Sequence, residues 1–80
     1  MVSTNRSRIT IDLAGAWRLY ATGVPAGAEV LGTIAQGPEV GALIRYRGTG
    51  LYAQLNAGAV RSLDQRKVHA ALEGARGPQG

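Results

Sequence analysis

Residues 42–56 alternate between apolar and polar side chains on both sides of a glycine-containing tip, Gly48-Thr49-Gly50. A period of two places successive side chains on opposite faces of an extended strand. Two such runs about a short glycine turn are typical of a β-hairpin. The pattern therefore predicts a pair of antiparallel strands near the middle of the chain.

The register of this hairpin decides which residues it displays. A loop with an even number of residues, two or four, makes Arg47 face Tyr52. One face is then apolar, with Ile44, Tyr46, Leu51, Ala53 and Leu55. The other is polar, with Arg45, Arg47, Tyr52, Gln54 and Asn56. An odd loop would bury arginines among leucines, which is costly, so we predict the even register and a polar face that points outward.

Other patterns predict elements on either side of the hairpin. Residues 8–13 alternate as a half-buried strand, and residues 29–36 form a second strand candidate. Asp12 is expected to cap a short helix that carries Trp17 and Tyr20 and stops at Gly23. The triplet Asn56-Ala57-Gly58 is expected to end the sheet.

The C-terminal segment has the pattern of an amphipathic helix. Ser62 and Gln65 have the spacing of a capping box, and Asp64 in the first turn suits the helix dipole. The apolar stripe consists of Val68, Ala71, Leu72 and Ala75. We predict an α+β domain over residues 8–75, with an antiparallel sheet of three to four strands, a flexible N-terminus (1–7) and a disordered tail (76–80).

Composition bounds the function classes. The chain has 80 residues, no cysteine, one histidine and a net charge of +4. It has no paired carboxylates, no metal-ligand cluster and no apolar run long enough for a membrane helix. We therefore expect a cytoplasmic protein that is not an enzyme, holds no cofactor or metal and does not enter a membrane. So small a core also makes a homodimer a reasonable expectation.

The segment RYRGTGLYAQ has three chemical interpretations. It fits G-x-G-x-x-A, but the strand-like residues after its glycines do not start the helix that a dinucleotide site requires. It resembles the first RNA-binding motif of RNA-recognition domains at Arg47, Gly48 and Gly50, yet the stacking aromatics of that motif are replaced by Thr49, Leu51 and Gln54. The third interpretation is a plain hairpin, with an outer face that is either functional or only solvated.

Two further features concern nucleic acid and protein partners. A helix-turn-helix is the structural alternative for residues 51–75, because three cations, Arg61, Arg66 and Lys67, lie near the start of the last helix. The profile as a whole, small, free of cysteine and without a catalytic constellation, resembles the small proteins of phages and mobile elements, including those of the anti-CRISPR type. This resemblance covers size and element order, is carried by no motif and transfers no functional residue.

These observations lead to two hypotheses. The resemblance implies a phage-encoded inhibitor that sterically blocks a bacterial defence complex by contacting an acidic protein surface. The alternative is a small regulator that binds nucleic acid with the same arginines. The candidate partner-binding residues for both are Arg45, Arg47, Tyr52, Gln54, Arg61, Arg66 and Lys67.

Overall fold

The computed structural model describes residues 8–76. Their elements are strand β1 (Ile9–Asp12), a 3₁₀ turn (Trp17–Leu19), strands β2 (Ala28–Gln36), β3 (Glu39–Tyr46), β4 (Tyr52–Asn56) and β5 (Ala59–Ser62), and helix α1 (Gln65–Ala75). The strands form one antiparallel sheet in the order β1-β2-β3-β4-β5. The α+β class and the C-terminal helix are confirmed, while the predictions for residues 1–7 and 77–80 lie outside the described residues.

The sheet has five strands, so the predicted three to four strands were too few. The triplet expected to end the sheet is instead a two-residue turn, with Asn56 paired to Ala59. Ala57 has φ 52° and Gly58 has φ 90°, which is the type I′ geometry that matches the twist of a hairpin. The chain therefore reverses here and adds β5 as an edge strand.

The predicted N-terminal helix is matched only in part. Only a three-residue 3₁₀ turn (Trp17–Leu19) forms in that segment. Asp12 does not cap a helix: its side chain accepts from the backbone N–H of Ala14 at 2.9 Å, and its carbonyl accepts from Gly15 at 3.2 Å. These bonds turn the chain sharply after β1, and a three-residue segment between such turns has no room for α-helical bonds.

The even register of the central hairpin is confirmed, but its pairing differs from the expected one. Tyr52 lies opposite Arg45 rather than Arg47. The loop comprises four residues, 47–50, and is closed by a bond from Tyr46 N–H to the Leu51 carbonyl at 2.9 Å. Gly50 adopts φ 74°, a left-handed conformation that costs glycine little.

Both faces of the sheet are covered. On one face, called the helix face, α1 packs Val68 and Leu72 against an apolar cluster from the strands and Leu63, namely Ile11, Ile34, Leu43, Tyr52 and Leu63. On the other, called the loop face, the β1–β2 connection packs Trp17 and Tyr20 over the buried residues Ala42, Ile44, Ala53 and Leu55. The sheet is therefore the middle layer of the domain.

The helix face contains the residues predicted to point outward. Tyr52 is 8% exposed and Gln54 is 1% exposed, so their expected exposure to solvent was wrong. The physical reason is that Ile34 and Leu43 share this face through the strand register. Their apolar surface needs a cover, and α1 buries the neighbouring polar residues along with it.

Helix α1 begins differently from the expected capping box. Its N-cap is Asp64, whose carboxylate accepts from the N–H groups of Arg66 and Lys67 at 3.1 and 3.3 Å. Ser62 is instead the last residue of β5. Across residues 8–76, none of the helices has the length and apolar character needed to cross a membrane.

Candidate functional site

Gln54 is a structural residue that ties three strands together. Its Nε2 donates to the carbonyls of Ile34 and Glu39, both at 3.2 Å. The side chain crosses β3 at Gly41, where an added Cβ would lie 2.9 Å from the Gln54 Cγ and 2.6 Å from the Leu55 carbonyl oxygen. The amide nitrogen thus has two acceptors within the protein, and the side chain is buried, so Gln54 is not presented to a partner.

Gln65 fastens the first turn of α1 to strand β4. Its Oε1 accepts from the Tyr52 backbone N–H at 2.8 Å, and its Nε2 donates to the Tyr52 carbonyl at 2.9 Å. The side-chain amide thus bonds both backbone groups of Tyr52 as a neighbouring strand residue would. A third bond, to the Leu63 carbonyl at 2.9 Å, fixes the amide from the other side. The start of the helix is therefore held beside the first residue of β4.

His69 lies one turn further along α1, on the same side as Gln65. Its ring meets the ring of Tyr52 edge-on, with centroids 5.5 Å apart and planes at 89°. This is a favourable aromatic geometry. The His69 flank of the helix is therefore the one that borders Tyr52.

Arg45 and Arg47 share one carboxylate at this end of the sheet. Arg45 Nη1 lies 3.4 Å from Glu29 Oε2, and Arg47 Nε lies 3.8 Å from Glu29 Oε1. The Arg47 side chain is 67% exposed, so its ion pair is well hydrated and contributes little to stability. The trio of two guanidinium groups and one carboxylate retains one positive charge.

The structure joins these arginines to the start of the helix. Arg45 lies opposite Tyr52 in the sheet, and Tyr52 is bonded to Gln65, the residue before Arg66. Arg66 also precedes His69 by three positions, which places it on the flank that borders Tyr52. We call Arg45, Arg47 and Arg66 the basic end; all three were predicted site residues.

The remaining candidate residues lie elsewhere. Arg61 lies on β5 and pairs with Glu39 at 3.2 Å. Lys67 is exposed, but it is two residues from His69, so about 200° of helical rotation separates the two side chains. Of the seven predicted residues, the basic end thus gathers three, the core takes Tyr52 and Gln54, and two stand apart.

Sequence reasoning missed the positioning residues. Gln65 was read as a capping residue, and the contact between His69 and Tyr52 was not anticipated. The i, i+4 spacing of Gln65 and His69 was a usable signal, because it places both on one flank next to the stripe. The role of Glu29 left no sequence signal, since it depends on pairing between β2 and β3.

No group of three or more metal-ligating side chains occurs among residues 8–76. Comparison with known proteins adds no family to this picture. No protein-family model, no curated protein and no solved structure matches the chain.

Proposed function

We propose that this chain is a non-enzymatic binding protein that contacts the phosphates of a nucleic acid through its basic end. The observation that carries the proposal is the pair of hydrogen bonds between the Gln65 side-chain amide and the backbone of Tyr52. These bonds hold the first residue of α1 against β4, next to the hairpin that displays Arg45 and Arg47, and Arg66 is the next residue of the helix. Cations that are distant in sequence then act as one surface.

The chemistry of the exposed groups favours phosphate over an acidic protein surface. Protein interfaces concentrate binding energy in aromatic anchors such as tyrosine, but Tyr52 is buried against His69 and the helix. Guanidinium groups remain at the surface, and their planar donors match phosphate oxygens. A surface of arginines without an aromatic anchor is typical of contacts that position a nucleic-acid backbone.

Glu29 limits the affinity of the basic end for phosphate. Its carboxylate competes with phosphate for Arg45 and Arg47. Binding therefore exchanges one set of exposed ion pairs for another, and the net gain comes from released counterions. We expect modest affinity that falls steeply as salt is raised.

Fluorescence anisotropy with labelled random single- and double-stranded DNA and RNA tests the proposal at two or more salt concentrations. Arg47→Ala combined with Arg66→Ala should weaken binding and lower the magnitude of the salt slope by about 2, close to one per lost phosphate contact. Arg18→Ala combined with Lys67→Ala is the matched control, because it removes the same charge from two exposed residues outside the basic end. Equal losses in both double variants would show that only net charge matters, and no binding at low salt would refute the proposal.

An inhibitor of a bacterial defence complex is the second candidate. It is favoured by the apolar residues exposed on the β1–β2 connection, where Leu13 is 38%, Leu19 is 76% and Val24 is 37% exposed. Exposed apolar side chains on a loop suit a protein interface better than a phosphate surface. Pull-down against such complexes at high salt separates the two candidates, since an apolar contact survives salt that abolishes phosphate binding.

A further inference from the structure

Strand β5 is an edge of the sheet with one side open. Within residues 8–76 it pairs only with β4, and all four of its residues, Ala59–Ser62, are exposed. The opposite edge strand, β1, differs because Ile11 is buried and Ile9 packs against the cluster under α1. An exposed edge strand offers unpaired backbone groups to any extended segment that reaches it.

The turn before β5 determines which backbone groups face outward. Asn56 and Ala59 flank a two-residue turn and therefore form a hydrogen-bonded pair. Along an antiparallel ladder, hydrogen-bonded pairs alternate with non-hydrogen-bonded pairs. Val60 and Ser62 are therefore the non-bonded positions of β5. Their N–H and C=O groups point away from β4, and no hydrogen bond to them occurs among residues 8–76.

The side chains of β5 differ between its two faces. Arg61 lies opposite Gln54 on the helix face, with its side chain 56% exposed and paired to Glu39. Val60 lies opposite Leu55 on the loop face and is 44% exposed. A strand added beside β5 would meet Arg61 and its ion pair with Glu39 of β3 on one face and an apolar surface on the other.

We propose that the β5 edge takes up an extended segment of a partner protein in which acidic and apolar residues alternate. Backbone bonds to Val60 and Ser62 would supply affinity, as in other cases of strand addition. Acidic side chains opposite Arg61 and apolar ones opposite Val60 would supply specificity. This inference goes beyond the proposed function, because it uses a different surface and does not depend on phosphate binding.

A second copy of the chain fits this edge poorly. The antiparallel register that pairs Val60 with Ser62 of the other copy engages all four outward groups, but it places Arg61 directly opposite Arg61 of that copy. Like charges in directly opposed positions destabilise a strand pair. The register that pairs Val60 with itself avoids this repulsion, but Ser62 then falls opposite Gly58, a turn residue. The charge of Arg61 thus selects against self-pairing and in favour of an acidic strand.

The test uses two blocked hexapeptide probes, one alternating glutamate and valine and the other alternating lysine and valine. Titration of the ¹⁵N-labelled protein should give saturable NMR shifts at the amides of Val60 and Ser62 with the acidic probe. The basic probe should bind at least about threefold more weakly, because it faces Arg61 with like charge, an effect that Glu39 partly offsets. Equal binding of both probes, or shifts that spare β5, would overturn the proposal.

Variants at the edge separate strand addition from simple charge attraction. Val60→Pro removes an outward N–H without removing a β4–β5 bond, and proline is tolerated at such edge positions. It should weaken the acidic probe by at least about fivefold, the loss expected for one or more backbone bonds, whereas Val60→Thr keeps the N–H, loses only part of the apolar surface and should weaken the probe less. If Val60→Pro alters the fold, Arg61→Glu provides an independent readout, since it should reverse the preference toward the basic probe.

Two further outcomes decide the proposal. Arg47→Ala with Arg66→Ala should leave probe binding unchanged, which separates this edge from the basic end. Sedimentation of the free protein should show a monomer at the concentrations used for the titration. A dimer that Val60→Pro dissociates would show that a second copy occupies the edge and would overturn the proposal.

Discussion

The two faces of the sheet reach burial by different means. The loop face is lined by aliphatic residues, including two alanines, and is covered by Trp17 and Tyr20 from an irregular connection. The helix face mixes aliphatic residues with Gln54 and Tyr52 and is covered by α1, which brings Gln65 as a partner for the strand backbone. An alternating pattern of polar and apolar residues therefore does not identify a solvent-facing side when the polar residues find hydrogen-bond partners.

The largest effect is expected from truncating neighbouring core residues that lie on opposite faces, which tests whether both faces are buried cores. Leu43 and Ile44 are adjacent in β3 and both are 0% exposed. Leu43→Ala and Ile44→Ala should each lower the free energy of unfolding by about 2–5 kcal/mol, measured by urea denaturation and far-UV circular dichroism. Thr10→Ala, at an exposed strand position, is the control. A cost below about 0.5 kcal/mol for Leu43→Ala, as expected for a surface position, would mean that the helix face is not a core.

A smaller loss of stability is expected when the buried amide on the helix face is removed. Gln54→Met keeps the volume but removes both bonds from Nε2 and leaves the Ile34 and Glu39 carbonyls without that donor. We expect a loss of about 1–3 kcal/mol in the same denaturation experiment. Gln36→Met, at a half-buried position with no side-chain bond among the described residues, should cost much less. A neutral or stabilising Gln54→Met would show that the amide is not needed on this face.

The smallest effect concerns the turn that ties β4–β5 to the cover of the loop face. Ala57 has φ 52°, an unfavourable value for alanine, and its N–H donates to the Tyr20 carbonyl at 3.1 Å. Ala57→Asn relieves the strain and keeps the N–H, so it should stabilise the fold by about 0.5–1 kcal/mol and raise Tm by roughly 2–8 °C. Gly58→Ala should have the opposite effect because φ there is 90°. A lower Tm for Ala57→Asn would contradict the type I′ assignment.

Local pattern was sufficient to predict β1, the parity of the β3–β4 hairpin and helix α1. These features depend on residues that are neighbours in sequence, where side-chain period and turn residues act directly. The β4–β5 turn was missed because Ala57 is a poor residue for a left-handed position, and the cover of the polar face was missed because it depends on tertiary packing. The candidate site shows the same difference between local and tertiary features. The sequence identified the arginines, but their grouping depends on the hydrogen bonds between Gln65 of α1 and Tyr52 of β4.

The order β1-β2-β3-β4-β5 has a consequence for how the chain folds. Every strand pairs with its neighbour in sequence, and α1 docks onto β4 only 13 residues upstream through Gln65. The strand pairing is therefore mostly local, and local contacts correlate with rapid folding. The exceptions both involve β1. It must close the connection of residues 13–27 to pair with β2, and its Ile11 packs against α1, which lies at the other end of the domain in sequence. Docking of β1 therefore has the largest entropic cost of loop closure. During folding, residues 28–76 should gain protection from hydrogen exchange before Ile9–Asp12 does.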